Sequence, residues 1–154
     1  MKKLFNHLDH FVWICKSENI ETYVDQLSKL CRIKFLGPWD KDYGAGAVRI
    51  YVSWEGGLEV IAPLTDDSPY AKHVRERGEG PYALVFAIQD IEEAKNHAES
   101  LGYTVSWPPM AERLEVQPWG HQLEHMEEIV VGEIMNTMMV FGDITLKDGV
   151  VRSE

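Results

Sequence analysis

The sequence has 154 residues, the size of one domain, and its apolar fraction of 45% is enough to bury a core without disulfides or a structural metal. Its 15 basic and 25 acidic side chains give a net charge of −10, which repels phosphate backbones and argues against a nucleic-acid partner. No apolar run approaches the roughly 20 residues that span a bilayer, and Cys15 and Cys31 are typical of reduced thiols, so we expect a cytoplasmic protein with no membrane partner.

The first half of the chain predicts a strand, a helix and further strands. Residues 10–15 form a short run rich in β-branched and aromatic side chains. A helical face follows at the spacing of one buried side: Ile20, Tyr23, Val24, Leu27 and Leu30. Strand-like runs occupy 34–36, 47–54 and 58–64, whereas the glycine-containing segment 37–46 is interpreted as a turn or mobile loop.

The second half repeats this order after a short helix over 68–77 that begins at Ser-Pro. Residues 83–88 form a strand-like run, 73 residues after the first, and Asp90 with Glu93 indicates a capping box. Ile91, Ala94, Ala98 and Leu101 carry the helical face. A strand over 103–107 and one or two strands between 128 and 145 follow, with an inserted segment over 108–127.

Each half therefore has the order β-α-β-β-β, which predicts an α+β fold. We expect one domain over 1–154, with modules at about 4–66 and 81–150 and a connecting helix at about 68–78. Two tandem modules are expected to form a cupped, partly closed mixed β-barrel with the helices outside, because each sheet packs its helix on one face and needs cover on the other.

Three segments carry a family resemblance. Leu8-Asp9-His10-Phe-Val resembles the first-strand signature of the vicinal-oxygen-chelate group, which contains glyoxalase I, bleomycin resistance proteins and extradiol dioxygenases. Residues 57–64, Gly-Leu-Glu-Val-Ile-Ala-Pro-Leu, resemble its fourth-strand signature, and residues 86–92 resemble the start of its second module. The resemblance implies that His10 and Glu59 are ligands of one divalent metal, such as Fe, Mn, Ni or Zn, and that the protein forms a homodimer.

Strand alternation supports the same two residues. On the first strand His10 shares a face with Val12 and Ile14, and on the fourth strand Glu59 shares a face with Ile61. If the bulkier side chains pack beneath the helices, His10 and Glu59 both face the cleft. An imidazole and a carboxylate there would make half of a divalent site or an acid–base pair.

The second half lacks the matching ligands. Ala83 stands where the family has its second histidine, and the carboxylate of the last strand is either Asp143 or Glu154. His121 or His125 could supply a third ligand from a loop or short helix over the cleft. These two histidines also match the H-x-x-E-H pattern of inverted zinc peptidases, but that chemistry needs a long helix, which Pro118 and the strand-like run that follows disfavour.

Aromatic side chains and one methionine predict an apolar ligand site. The residues we expect to contact substrate are Trp54, Tyr82, Trp107, Trp119 and Met138.

Two functions remain open. The first is a glyoxalase- or dioxygenase-like isomerase, lyase or ring-modifying enzyme that acts on a small, largely apolar metabolite, with or without a metal. The second is a non-catalytic binder of the bleomycin-resistance type, which the acidic charge and Ala83 favour.

Overall fold

The computed structural model describes residues 3–42, 44–106 and 114–150. For Glu115 it describes the backbone only. These residues form strands and helices of the predicted α+β class: β1 Phe5–Ile14, α1 Ile20–Cys31, β2 Leu36–Asp42, β3 Ala47–Ser53, β4 Leu58–Pro63, α2 Pro69–Arg77, β5 Gly80–Ile88, α3 Ile91–Ser100, β6 Leu123–Ile134 and β7 Thr137–Leu146. Among the described residues no helix is both long and apolar enough to cross a bilayer.

The chain divides into two compact units. One unit, here the α1 unit, contains Val12–Pro81, and the other, the α3 unit, contains the residues up to Phe11 together with Tyr82–Gly149. In the α1 unit the strands lie in the order β2-β3-β4-β1, and in the α3 unit in the order β1-β5-β7-β6. Pairing is antiparallel between β6 and β7 and parallel between β5 and β7, so the predicted mixed sheet is confirmed.

Helix α1 packs as its sequence pattern predicts, except at its last turn. Ile20 is fully buried in a cluster with Cys15, Tyr51, Val60 and Ala62, and Tyr23, Val24 and Leu27 pack against that cluster. Leu30 was predicted on the same buried face, but it is 82% exposed. An apolar residue at the correct helical spacing therefore remains at the surface at the end of this helix.

Strand β2 corrects the prediction of a loop over 37–46. The segment Leu36–Asp42 pairs antiparallel with β3 as an edge strand, with a register shift between Leu36 and Trp39 and a cis bond between Gly37 and Pro38. A proline is compatible with an edge strand at an irregularity, because its missing N–H does not interrupt a ladder on both sides. Only the end of the predicted loop lies outside β2.

Helix α3 begins at the predicted cap and ends one residue early. The side chain of Asp90 accepts a hydrogen bond from the Glu93 N–H at 2.9 Å. Ile91, Ala94 and Ala98 are buried against strand residues of the α3 unit. Leu101, which we expected on the buried face, is the C-cap residue and is 63% exposed.

Of the predicted strand over 103–107, the described residues 103–106 contain one bridge, between Ser106 and Val130. After it, β6 and β7 form a long hairpin whose two-residue turn is Met135–Asn136. Both turn residues have positive φ, at 52° and 59°, as a type I′ turn requires. The one or two strands expected between 128 and 145 are therefore two, and β6 starts earlier than predicted, at Leu123.

Candidate active site

The centre of the candidate site is a pair of neighbouring buried residues on β1. Nδ1 of His10 lies 2.8 Å from Oδ1 of Asp9, and the two residues are 2% and 4% exposed. Because an ionised carboxylate only accepts hydrogen bonds, Nδ1 carries the proton that it donates to Asp9. If the imidazole is neutral, its lone pair is on Nε2, and Nε2 is then the atom that would accept a proton or ligate a metal.

Ring contacts establish which face of β1 carries His10. Phe5 lies edge-on to Phe86 of β5, with ring centroids 5.3 Å apart, and Phe86 contacts Phe141 of β7 at 6.4 Å. Phe141 packs against the core beneath α3. Since successive residues of a strand point to opposite faces, His10 lies on the face of the sheet that is turned away from α3.

Small apolar residues form the rest of that face. The parallel register of β5 and β7 sets Ala83 opposite Met138, Val85 opposite Val140 and Ala87 opposite Gly142. The packing here is close, because a Cβ added at Gly142 would lie 3.1 Å from Cγ1 of Val85. The three β5 residues are all buried. These residues of β5 and β7 are named here the apolar floor of the candidate site, and β5 is the neighbour of β1 in the sheet.

Sequence reasoning missed one carboxylate on the same face. Glu128 of β6 pairs with Gly142, whereas its neighbour Ile129 pairs with Phe141 and is fully buried beneath α3. Glu128 is half-buried and borders the apolar floor on the side opposite to β1. The alternation of Met126, Glu128 and Val130 against Glu127 and Ile129 could have identified it, had the start of β6 been predicted correctly.

Asp143, one candidate for the missing carboxylate ligand, faces the other way. It pairs with Glu127 and lies on the α3 side of the sheet. His125 is on that side as well, with its Nε2 3.7 Å from Oε2 of Glu127 and 3.7 Å from Oδ2 of Asp143. His125 and Asp143 therefore point away from the face that carries Ala83. Glu154, the other candidate, lies outside the described residues.

The donor set of this face does not fit the divalent metal that the family resemblance implies. Ala83 has no ligating atom, and the residues that β7 presents to the same face are Met138, Val140, Gly142, Ile144 and Leu146, of which none has an oxygen or nitrogen donor in its side chain. Among the described residues no group of three or more His, Cys, Asp and Glu side chains could hold a metal ion. Glu59, the second predicted ligand, is a half-buried residue of β4 opposite Val52 and belongs to the α1 unit.

The residues that were predicted to contact substrate differ in burial and in the face of the sheet on which they lie. Met138 is half-buried beside Ala83, whereas Tyr82 alternates with Ala83 and lies on the Phe86 side of β5. Trp54 and Trp119 are buried, at 2% and 3% exposure. Trp107 lies outside the described residues.

His121 belongs to a polar cavity of the insertion. It lies in the short 3₁₀ turn Gly120–Gln122, and its Nδ1 donates to the carbonyl of Pro118 at 3.0 Å. Together with Gln117, Glu124 and Lys147 it lines a cavity of about 620 Å³. An inverted zinc peptidase needs both histidines of the H-x-x-E-H pattern on one helix. Because His121 is in this turn and His125 is on β6, the two residues cannot form the zinc site of such a peptidase.

Comparisons with known proteins agree on the fold. No protein-family model matches the sequence, and no curated protein matches it. A Streptomyces coelicolor methylmalonyl-CoA epimerase variant, solved in complex with 2-nitronate-propionyl-CoA, is 15% identical, with a TM-score of 0.67 over 95% of this chain and 97% of that one. Methylmalonyl-CoA epimerase from Mycobacterium tuberculosis is 13% identical, with a TM-score of 0.65 over 93% and 91%.

A hypothetical protein from Bacillus halodurans is 18% identical, with a TM-score of 0.60 over 88% of this chain and 92% of that one. At these identities the likeness shows the fold alone. The epimerases have the vicinal-oxygen-chelate fold, which is the fold that the motifs around His10 and Glu59 indicated. The chain thus has the fold of the vicinal-oxygen-chelate group.

Proposed function

We propose that the protein is an isomerase that moves a proton on a small, largely apolar carbonyl compound, with His10 as its base. The observation that carries this proposal is the buried hydrogen bond of 2.8 Å between His10 and Asp9. A buried carboxylate on Nδ1 fixes the tautomer of the imidazole and stabilises the imidazolium that forms when Nε2 accepts a proton.

The proposed reaction starts at a carbon next to a carbonyl group. Nε2 of His10 takes the proton from that carbon, and the electron pair of the C–H bond forms the enolate. Return of the proton from Nε2 to a neighbouring atom gives a structural isomer, and an epimer forms when the planar enolate turns its other face to His10 before the imidazolium returns the proton. No step is assigned to a metal, because Ala83 and the β7 residues of this face supply no ligands.

Glu128 is proposed as a ligand-orienting group and not as a second base at the same carbon. Strand β6 is three strand spacings from β1, roughly 14 Å along the sheet. That span exceeds the distance between two groups that act on one carbon, but it suits a substrate whose polar end reaches Glu128. The apolar floor between them, with Ala83, Val85 and Gly142, would contact the apolar body of such a substrate.

The names of the solved epimerases and the net charge of this chain together suggest which substrates to test first. The solved epimerases act on or bind coenzyme A thioesters by their names, and an α-substituted acyl group is therefore the first chemistry to test. A net charge of −10 opposes a ligand with several phosphates, however, so we favour a neutral thioester or ketone over a coenzyme A derivative.

Exchange of substrate hydrogen with solvent is the most direct test. The protein is incubated in D₂O with methylmalonyl-CoA and with neutral α-substituted thioesters and α-hydroxyketones, and loss of the α-hydrogen signal is followed by proton NMR. We expect exchange with at least one neutral compound, a loss of at least about 100-fold for His10→Gln, and wild-type rates for His7→Gln, a matched change at an exposed histidine of the same strand.

Two results would count against the proposal. Exchange that survives in His10→Gln would remove His10 as the base. Tight binding of one of these compounds without any exchange would favour the second candidate function, the non-catalytic binder. That alternative draws on one observation, the replacement of ligating residues by Ala83 and apolar β7 side chains.

A further inference from the structure

A groove beside α1 is a second candidate site, and it lies wholly within the α1 unit. Its volume is about 440 Å³, within the range of small-molecule sites. Helix α1, β1, β4 and the start of β5 supply its walls, which include Trp13, Tyr23, Leu27, Leu30, Val60 and Pro81.

The lining of the groove is almost entirely apolar. Cys15, which forms part of the wall, is a neutral thiol, because burial raises its pKa to about 12. Leu30 stands at the end of α1 with 82% of its surface exposed, although an apolar side chain gains nothing from contact with water. A ligand in the groove would cover Leu30 and account for an apolar side chain at this exposed position.

One charged group breaks the apolar lining. Oε1 of Glu79 accepts hydrogen bonds from the Lys16 N–H at 2.8 Å and from the Asn19 amide at 2.9 Å, and Oε2 accepts one from the Tyr23 hydroxyl at 3.0 Å. These bonds hold the pKa of Glu79 below its usual range, so the carboxylate is ionised near neutral pH. A carboxylate oxygen can accept about two hydrogen bonds, and Oε2 accepts one from the described residues, so it retains capacity for a ligand donor.

We propose that this groove binds a hydrophobic monocation, an amine with an aromatic or alkyl body. The amine would donate to Oε2 of Glu79, and the apolar body would lie between Trp13, Tyr23 and Leu30. Charge complementarity argues for a cation over an anion or neutral ligand: the only ionised side chain among the described residues of the lining is a carboxylate, and none of those residues is Lys or Arg. The aromatic faces add cation–π attraction, and the net charge of −10 draws cations to the surface.

Phenethylamine and phenethyl alcohol are a matched pair of probes. Both have the same aromatic body, and only the amine is charged. Each is titrated into the full chain while amide and methyl signals are followed by two-dimensional NMR. For so small a ligand we expect a Kd of about 1 mM or tighter for the amine, with the largest shifts at the Trp13 indole and the Leu27 and Leu30 methyl groups. The alcohol should bind at least about fivefold more weakly.

Two variants distinguish a charge-selective site from adventitious apolar binding. Glu79→Gln keeps the size of the side chain but removes its charge. It should lower the affinity for the amine about tenfold and leave the affinity for the alcohol unchanged within about twofold. Glu76→Gln makes the same change at an exposed residue of α2 outside the groove, and it should leave both affinities unchanged. Leu30→Lys places a positive charge, of the same sign as that of the amine, at the exposed end of α1. It should lower the affinity for the amine more than the affinity for the alcohol.

Any of three results would overturn the proposal. These are an absence of shifts at amine concentrations of about 10 mM, shifts that map to residues outside the groove, and equal weakening of amine and alcohol by Glu79→Gln. Since Glu79 also bonds to Asn19 and Tyr23, the thermal stability of Glu79→Gln is measured in parallel. If that variant is unfolded, Leu30→Lys decides the question, because it changes only an exposed side chain. The outcome is independent of the reaction proposed for His10.

Discussion

The carboxylate of Asp9 and the imidazole of His10 are joined by a hydrogen bond of 2.8 Å although the two residues are adjacent in the chain. Neighbours on a strand ordinarily point to opposite faces. Both residues are buried, so each side chain would be costly to hold there without its partner. The pair therefore sets the orientation and the tautomer of His10 independently of any ligand.

Replacement of Asp9 by Asn should disturb that tautomer. The amide can turn its NH₂ group toward Nδ1, which then becomes the acceptor, and the proton moves to Nε2. We expect ¹⁵N NMR to show the Nδ1–H form in the wild type and the Nε2–H form in Asp9→Asn. On the substrate identified by exchange, kcat should fall at least about 100-fold with little change in KM. An unchanged tautomer in a folded variant would contradict the role assigned to Asp9.

The cross-strand pair of Asp40 and Arg49 should make stability depend on pH. The guanidinium of Arg49 donates to both oxygens of Asp40, at 2.7 and 2.8 Å, and lowers the pKa of that carboxyl. A pKa that is lower in the folded state stabilises the fold above the unfolded-state pKa of about 3.9, and that contribution is lost as the pH falls through the folded-state pKa.

Asp40→Asn should accordingly lower the free energy of unfolding by about 0.5–1 kcal/mol at pH 7, a modest value because the pair is half-exposed. The difference from the wild type should shrink toward zero near pH 2 and in high salt. Urea denaturation at several pH values measures it. Asp67→Asn, at an exposed position, serves as the control, and an equal loss there would rule out the ion pair as the cause.

Gly120 should tolerate no side chain. A Cβ at this position would overlap the carbonyl oxygen of Leu114, a backbone atom that cannot rotate away. Gly120→Ala should therefore destabilise the protein by about 3 kcal/mol or more. At Gly56 the nearest atom is the flexible end of Ile33, at 2.7 Å, so Gly56→Ala should cost about 1 kcal/mol or less. Thermal unfolding of the two variants compares them directly, and a similar Tm for both would contradict this packing.

Substitutions in the β6–β7 turn should be able to raise the free energy of unfolding. Met135 adopts a φ of 52° and is 87% exposed, so it has left-handed backbone strain with no packing in return. Replacement of Met135–Asn136 by Asn-Gly, the preferred type I′ sequence, should raise the free energy of unfolding by about 1 kcal/mol. Met135→Leu should change it by less than about 0.3 kcal/mol, because leucine has the same steric conflict. A gain in the leucine variant would show that side-chain chemistry, and not φ, limits this turn.

Much of the fold could be predicted from local patterns. The spacing of Ile20 and Leu27 marked α1, and the cap at Asp90 marked the start of α3. Strand β2 was missed because its glycine and proline are typical of a turn, and only pairing with β3 makes that segment a strand. Leu30 and Leu101 were placed on buried faces because spacing reports the side of a helix and not whether its last turn is covered.

The site was harder to predict than the fold. His10 was identified from its motif, but its bond to Asp9 was not, because adjacent strand residues are expected to diverge. The orientation of Asp143 and Glu128 depends on the register between β6 and β7, in which a shift of one residue exchanges the two faces. No feature of the sequence around Asp143 specifies that register.

The Met135–Asn136 turn also has a consequence for the order of folding. β6 and β7 are joined by two residues, so their hairpin can form from local contacts on the microsecond timescale that hairpins show. The parallel pairing of β7 with β5 instead requires closure of the whole intervening segment, from α3 to the end of β6. We therefore infer that the hairpin forms first and then docks on β5, and that a change in its turn alters the folding rate of the entire α3 unit.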